Sequence, residues 1–193
     1  MSMLKKSYNK KTDEELMSLL TKREQSAFDE LYIRYSKPLL NFLFRMLNRD
    51  REKAEDMLHD LFLKIIEKPE SFDNSKKFST WFYTLASNMI KNEYRKQQIR
   101  NEFISNSNIG DFNGFEFNGE SIDKDIFTNR LATELNSVDI DTKSIFNLRF
   151  IEEMTIKEIA DIFECPEGTI KSRLFYLTKK LSTKLAPFKP EKV

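Results

Sequence analysis

Lys171, Ser172 and Arg173 stand together near the C-terminus, just behind Gly168 and Thr169, and their side chains can donate to phosphates and to base edges. Short polar and cationic groups do recognition chemistry on DNA when a helix start carries them into the major groove. A second set, Asn88, Lys91, Arg95 and Lys96, follows the aromatic run Phe78, Trp81, Phe82 and Tyr83. Aromatic faces beside cations can stack unpaired bases while the cations hold phosphates. The chain has no nucleophile–base pair, metal-ligand set or phosphate loop, so neither enzymatic chemistry nor a metal or cofactor is expected. His59 is its only histidine and has no second ligand set near it.

The elements that must position these groups can be read from spacing. Thr155 with Glu158 forms a T-x-x-E capping box that opens a short helix, in which Ile156, Ile159, Ala160 and Phe163 share a face. Small Ala160 lets a second helix cross closely. Pro166 follows at the end of the turn, where its missing N–H is harmless. On the second helix Ile170, Leu174, Leu177 and Leu181 recur at three- and four-residue steps and point inward, leaving Lys171, Ser172, Arg173 and Tyr176 outward. The pair reads as a helix-turn-helix. Two amphipathic helices of an ordinary all-α domain would share the apolar pattern, but not the outward Lys-Ser-Arg at the helix start.

Strand signals are scarce and helical periodicity is nearly continuous, so the expected class is all-α. Thr12 with Glu15 opens a first helix with Leu16, Leu19 and Leu20 as its stripe. Ser26 is the expected cap of a second, carrying Phe28, Leu31, Tyr32 and Tyr35, and Pro38 is expected to break or kink it before the run Leu39 to Leu47. A third helix, from about Arg51 to Lys68, buries Ala54, Met57, Leu58, Leu61, Phe62, Ile65 and Ile66, and Pro69 stops it. After a polar loop from Glu70 to Lys77, a fourth starts near Ser79 or Thr80 and runs towards Arg100, with Trp81, Leu85 and Met89 as a core stripe.

From Asn101 to Ile126 the texture changes to Asn, Ser, Gly and acid, with three of the four glycines. This reads as a flexible linker. Its four phenylalanines, Phe103, Phe112, Phe115 and Phe117, suit either a groove of a partner or the chain's own domains. Helical pattern resumes near Phe127 and continues to about Ala186. The layout is therefore two small helical domains, 1–100 and 127–186, joined by the linker 101–126 and followed by a tail, 187–193.

Charge is sorted along this layout. The net charge is only +1 with 33% charged residues, so nucleic-acid binding must rest on local patches. Residues 76–100 carry Lys76, Lys77, Lys91, Arg95, Lys96 and Arg100 against Glu93 alone. Residues 101–125 carry six acids against Lys124 alone. The single cysteine, Cys165, excludes an intramolecular disulfide and fits a reducing cytoplasm. No apolar run long enough to span a membrane and no signal-peptide pattern is present, so a soluble, cytoplasmic protein is expected.

The third helix has two faces. Opposite its core stripe lies Leu63, flanked by Asp56, His59, Asp60 and Glu67. An apolar residue ringed by acids suits a protein-docking surface, with His59 as part of it. Single exposed leucines also occur on ordinary solvent faces, so the residues alone leave both readings open.

Taken together the chain resembles the extracytoplasmic-function RNA polymerase sigma factors, the small two-domain group of bacterial sigma factors. Three blocks carry the resemblance. One is Ala27-Phe28-Asp29-Glu30-Leu31-Tyr32 leading to Ala54-Glu55-Asp56-Met57-Leu58-His59-Asp60-Leu61-Phe62-Leu63-Lys64, similar to the family's polymerase-binding helix. Another is Phe78-Ser79-Thr80-Trp81-Phe82-Tyr83-Thr84-Leu85-Ala86-Ser87-Asn88, ending in Tyr94-Arg95-Lys96, similar to its promoter-melting and minus-ten-reading region. The last is Gly168-Thr169-Ile170-Lys171-Ser172-Arg173-Leu174, close to its G-T-V-K-S-R-L signature.

The resemblance implies promoter-specific transcription initiation with core polymerase, by a protein that is a monomer outside the holoenzyme. Asp56, His59, Asp60, Leu63 and Lys64 would dock on the β′ clamp helices, and the C-terminal domain on the β flap. The loop Ser71–Lys77, with Ser71, Asn74, Lys76 and Lys77, would cradle a flipped minus-ten base, and Asn88, Lys91, Arg95 and Lys96 would hold the strand. Thr169, Lys171, Ser172, Arg173 and Tyr176 would read the minus-thirty-five element, and the acidic linker would thread the polymerase cleft.

Two departures stand out. Phe175, Tyr176, Leu177 and Thr178 occupy positions where the family often has further arginines, and Glu164 and Glu167 flank the turn. Fewer phosphate contacts imply weak minus-thirty-five binding and a recruiting protein that contacts Phe175 and Tyr176, or else simply a different promoter sequence. An anti-sigma factor is a further expected partner. A helical adaptor, or a helix-turn-helix regulator that does not engage core polymerase, is the alternative function.

Overall fold

In the computed structural model, which describes residues 8–105 and 122–188, eight α-helices and two 3-10 turns form the whole of the regular structure among the described residues. The helices are α1 (Asp13–Leu20), α2 (Gln25–Met46), α3 (Arg51–Glu67), α4 (Phe78–Ser105), α5 (Ile122–Asn136), α6 (Ile140–Phe150), α7 (Ile156–Ile162) and α8 (Glu167–Leu185). The 3-10 turns are Pro69–Ser71 and Ala186–Phe188. The all-α expectation holds. No described helix is long and apolar enough to cross a membrane.

Caps set most helix starts. Thr12 accepts from the Glu15 amide at 3.2 Å while the Thr12 amide donates to the Glu15 carboxylate at 2.8 Å. Asp50 caps α3 through the Lys53 amide at 3.1 Å, and Asp139 caps α6 through the Thr142 amide at 2.9 Å. Each such cap is worth about 1 kcal/mol. The first amide of α4 is capped from a distance: Phe78 donates to Glu14 Oε1, on α1, at 2.9 Å. Burial pushes the Glu14 carboxyl up, but the hydrogen bond from Phe78 and its local partners outweigh it and hold the carboxyl below its ordinary range.

The structure corrects several sequence expectations. Helix α2 is capped at Glu24, whose side chain makes no capping bond, and not at Ser26. It also runs through Pro38 without a break. Proline removes one helical hydrogen bond there, at a cost of about 3 kcal/mol. Buried Leu31 on one side of it and Leu39, Phe42, Leu43 and Met46 on the other pin both halves to one core, which offsets that loss. Ile66, expected in the core, is 46% exposed, and Met57 is half-buried. Residues 101–105 and 122–126, expected in the linker, are helical. Phe112, Phe115 and Phe117 lie outside the described residues.

Helix α4 buries a different stripe from the one expected. Phe78, Phe82, Tyr83, Ala86 and Ile90 are buried, whereas Trp81, Leu85 and Met89 are half-buried on its flank. Two neighbours explain this: α4 packs against α2 on one side and against α7 on another, so more of its circumference is covered than a single stripe. The aromatic cluster is dense, with Phe62, Phe78, Phe82 and Tyr35 meeting edge-on at 5.1 to 5.8 Å between ring centres. One continuous apolar core then extends from Leu16, Phe42 and Phe82 to Ile145, Ile159 and Leu174. The N-terminal and C-terminal helices are thus packed together, an arrangement that a linker of unknown path left open.

Candidate polymerase and nucleic-acid interfaces

Helix α3 carries the first surface. Ala54, Leu58, Leu61, Phe62 and Ile65 are buried, and Asp56, His59, Asp60, Leu63 and Lys64 are exposed together on the other side. Leu63 is 37% exposed. Ile66, one turn further on, joins it as a second exposed apolar group that the sequence reading had placed in the core. Asp56, Asp60 and Lys64 also line a 440 Å³ groove against Met89 and Lys96 of α4. Apolar side chains ringed by charge make a surface that other proteins bind.

The second surface is built on the loop after α3. Ser71 ends a 3-10 turn, donating from its amide to the Lys68 carbonyl at 3.0 Å and from its hydroxyl to the same oxygen at 2.6 Å. Asp73 then accepts from the Ser75 amide at 3.0 Å and hydroxyl at 2.8 Å, which folds the tip as an Asx turn. Between them Phe72 is buried against Phe78 and Trp81, with ring centres 5.5 and 5.1 Å apart. The sequence reading missed this anchor; an aromatic inside an otherwise polar loop was the available signal. Ser71, Asn74, Lys76 and Lys77 are left exposed on the anchored loop, as are Asn88, Arg95 and Lys96 along α4.

Two cations of this surface are engaged. Lys77 forms an ion pair with Glu158 of α7. Burial pushes the Glu158 carboxyl up, but hydrogen bonds from Lys77 and Thr155 outweigh it and hold the carboxyl below its ordinary range. Lys91 Nζ lies 3.0 Å from Asp141 Oδ1 of α6 and 4.7 Å from the centre of the Phe163 ring.

The third surface is the helix-turn-helix of α7 and α8. Its capping box is formed as expected, with Glu158 amide to Thr155 Oγ1 at 3.2 Å and Thr155 amide to Glu158 Oε2 at 2.8 Å. Ile159, Ala160 and also Ile162 are buried, whereas Ile156 and Phe163 are half-buried. Glu164 takes a left-handed φ of 50° in the turn, and Pro166 sits at the cap of α8 with φ −60°. Ile170, Leu174, Leu177 and Leu181 are buried, so Lys171, Ser172 and Tyr176 are presented outward. Thr169 and Arg173 are half-buried. Arg173 leans back towards α6, 3.7 Å from Asp141 and 3.9 Å from Asp139. Phe175 and Tyr176 are 61% and 69% exposed and touch edge to face at 5.5 Å.

Comparison with known proteins places these surfaces in a family context. The family model described as Sigma-70 region 2 matches residues 31–100, and the one described as Sigma-70, region 4 matches residues 128–181. Similar curated proteins include the ECF RNA polymerase sigma-E factor of Haemophilus influenzae, 29% identical over 91% of this chain and 96% of the relative. Another is the ECF RNA polymerase sigma-E factor of Escherichia coli, 27% identical over 91% of this chain and 95% of the relative. Among solved structures, the sigma factor RpoE in complex with the anti-sigma factor NepR from Bartonella quintana aligns with a TM-score of 0.66 at 23% identity, covering 82% of this chain and 96% of that one. CnrH in complex with the cytosolic domain of CnrY aligns at 0.68 and 19% identity, covering 91% and 97%. These structural likenesses show the shared fold.

Proposed function

The chain belongs to the extracytoplasmic-function RNA polymerase sigma factors, and on that premise we propose how its surfaces divide the work of directing core polymerase to promoters. The observation that carries the proposal is the two-faced α3, whose buried side is committed to the core and whose exposed side offers Leu63 and Ile66 among acids. Asp56, His59, Asp60, Leu63 and Lys64 dock on the β′ clamp helices, and Ile66 extends that face. The C-terminal helices engage the β flap and carry the outward groups of α8.

Residues Ser71, Asn74, Lys76 and Lys77 receive an extruded minus-ten base. Extrusion costs a few kcal/mol of stacking and pairing, so an anchored loop with exposed donors suits it better than a mobile one. Asn88, Lys91, Arg95 and Lys96 hold the adjoining strand. Thr169, Lys171, Ser172, Arg173 and Tyr176 face the minus-thirty-five element. The N-terminal domain closes at the end of α4, near Ser105, and the C-terminal domain opens with α5. The protein works in the cytoplasm, without catalytic chemistry of its own.

The outward pair Phe175 and Tyr176 supports a further partner. Adjacent exposed aromatics on one helix suit a protein-docking surface. With fewer cations on α8 than the family often carries, minus-thirty-five binding is weak and a recruiting protein contacts this pair. A partner of the anti-sigma kind, such as the anti-sigma factor NepR bound to the similar sigma factor RpoE, is the second protein expected to bind.

In vitro transcription from a pooled promoter library, with core polymerase and with or without this chain, tests the reading. Chain-dependent transcripts sharing a motif support it. Core binding without transcripts points to the missing recruiting protein, and no binding to core would overturn it in favour of an adaptor.

A further inference from the structure

One buried charge is left unexplained by the polymerase and DNA surfaces. Lys143 of α6 is 5% exposed. Its ammonium reaches neutral acceptors, the Met46 carbonyl at 3.4 Å and Asn48 Oδ1 at 3.2 Å. Both contacts are long for a charged donor, which has three protons to satisfy. Lysine is seldom buried this far unless an opposite charge pairs with it. The neighbouring Arg45 is balanced in that way: it pairs with Glu152 and donates to Asn147 Oδ1 at 2.8 Å. Lys143 has no carboxylate partner among the described residues, and burial depresses its titration unopposed.

The ammonium lies on the wall of a cavity. A space of 390 Å³ stays open between α5, α6 and the end of α2, within the range of about 300–1,000 Å³ typical of small-molecule sites. Its origin is a split in the apolar packing. Ile145 and Leu148 of α6 belong to the main core, whereas Phe146 packs with Leu131 and Leu135 in a second cluster around Leu177, Leu181 and Leu185 of α8. Helix α5 leans on α8 while α2 leans on α6, so the cavity is left where the two clusters diverge. Leu131, Leu135 and Phe146 give it an apolar wall, and Arg45, Arg49 and Lys143 give it a cationic one. No aspartate or glutamate among the described residues lines it.

We propose that this cavity binds a small amphipathic carboxylate, its anionic head on Lys143 and its apolar tail along Leu131, Leu135 and Phe146. The head supplies the opposite charge that Lys143 lacks, and a charge-assisted bond is stronger in a buried site than in water. A singly charged head suits the site better than a phosphate monoester. Glu152 already offsets Arg45, so a monoester would bring roughly 1.5 to 2 negative charges to one unbalanced ammonium. The tail bridges the two apolar clusters, and a volume near the low end of the range calls for a short one. This site is separate from the exposed face of α3 and the outward face of α8, and it stands whether or not those surfaces divide the work as proposed.

Sodium decanoate is the probe, titrated into the full-length chain by calorimetry and followed by thermal melts. Acetate carries the head without the tail, and decyltrimethylammonium carries the tail with the opposite charge. The expected result is saturable binding of one decanoate per chain, with a melting temperature that rises with its concentration. Neither control should bind at the same concentrations. Lys143→Met keeps the bulk of the side chain, removes its charge and should weaken decanoate binding about tenfold or more. Ala132→Phe, at a half-buried position of the cavity wall, leaves Lys143 in place and should block binding by filling the space.

Undiminished decanoate binding by a cooperatively melting Lys143→Met chain would overturn the proposal. So would equal binding of decyltrimethylammonium, or no saturable binding of decanoate by the parent at millimolar concentrations. If Lys143→Met does not fold, Ala132→Phe and the two controls decide the outcome: binding that survives the filled cavity places decanoate elsewhere and refutes the site.

Discussion

Tyr83 and Glu152, 69 positions apart in sequence, share a 2.9 Å hydrogen bond that ties the aromatic core of α4 to the loop between α6 and α7. The phenol is buried and its titration is pushed up, first by burial and then by the facing carboxylate. Tyr83→Phe keeps the ring contact with Phe42 but removes the donor. Since Arg45 still satisfies Glu152, the expected loss is about 1 kcal/mol, read as a lower denaturation midpoint with an unchanged helical signal.

Lys143 gives the fold a pH signature. Burial alone pushes its ammonium down to about 8 from an ordinary 10.5. A base depressed in the folded state is charged at a cost below its folded pKa, and the unfolded chain binds the extra proton between the two values. Its contribution to stability therefore rises as pH goes from about 8 to about 10.5. Lys143→Met should remove this rise relative to the parent while leaving the Met46 carbonyl satisfied by the Tyr94 hydroxyl at 2.7 Å. Paired denaturation curves at pH 7 and pH 10 check it.

On α3, Leu63→Asp and Ile66→Asp change side chains that contribute little to the core. Each should leave the melting transition within about 0.5 kcal/mol of the parent. Each should also weaken capture by core polymerase by tenfold or more, about 1.4 kcal/mol, if this face is the docking surface. Unchanged capture by both variants would remove α3 from the interface.

Lys171 is 62% exposed at its side chain and pairs with Glu167 on the preceding turn, 3.2 Å away. If it contacts a phosphate of the minus-thirty-five element, Lys171→Ala should lower holoenzyme affinity for every promoter alike and reduce the salt slope by about 1. Glu167→Gln should act in the opposite direction by releasing Lys171 from its partner. A promoter-dependent effect would instead assign Lys171 to a base edge.

Much of this architecture was legible because local signals agreed with one another. The capping boxes at Thr12 and Thr155 and the inward stripe of α8 each followed from spacing that tertiary packing did not alter. Pro38 misled because the local rule it obeys is outvoted by five buried side chains spread over both halves of α2. Ile66 and Trp81 misled for a related reason. Periodicity locates a face, but which of two adjacent stripes is covered depends on neighbours distant in sequence, here α2 and α7 against α4. The ion pairs of Lys77 and Lys91 were beyond reach for the same reason, since their partners lie 81 and 50 positions away across the linker.

The cap that Glu14 provides for the Phe78 amide has a practical corollary for grafting experiments. The region 2 match begins at residue 31, after α1 has ended. A chimera joined at that boundary would import the loop from Ser71 to Lys77 and α4 without the carboxylate that closes the helix start. The first amide of α4 would then lose its partner, so a modular swap of this domain should be cut ahead of Thr12.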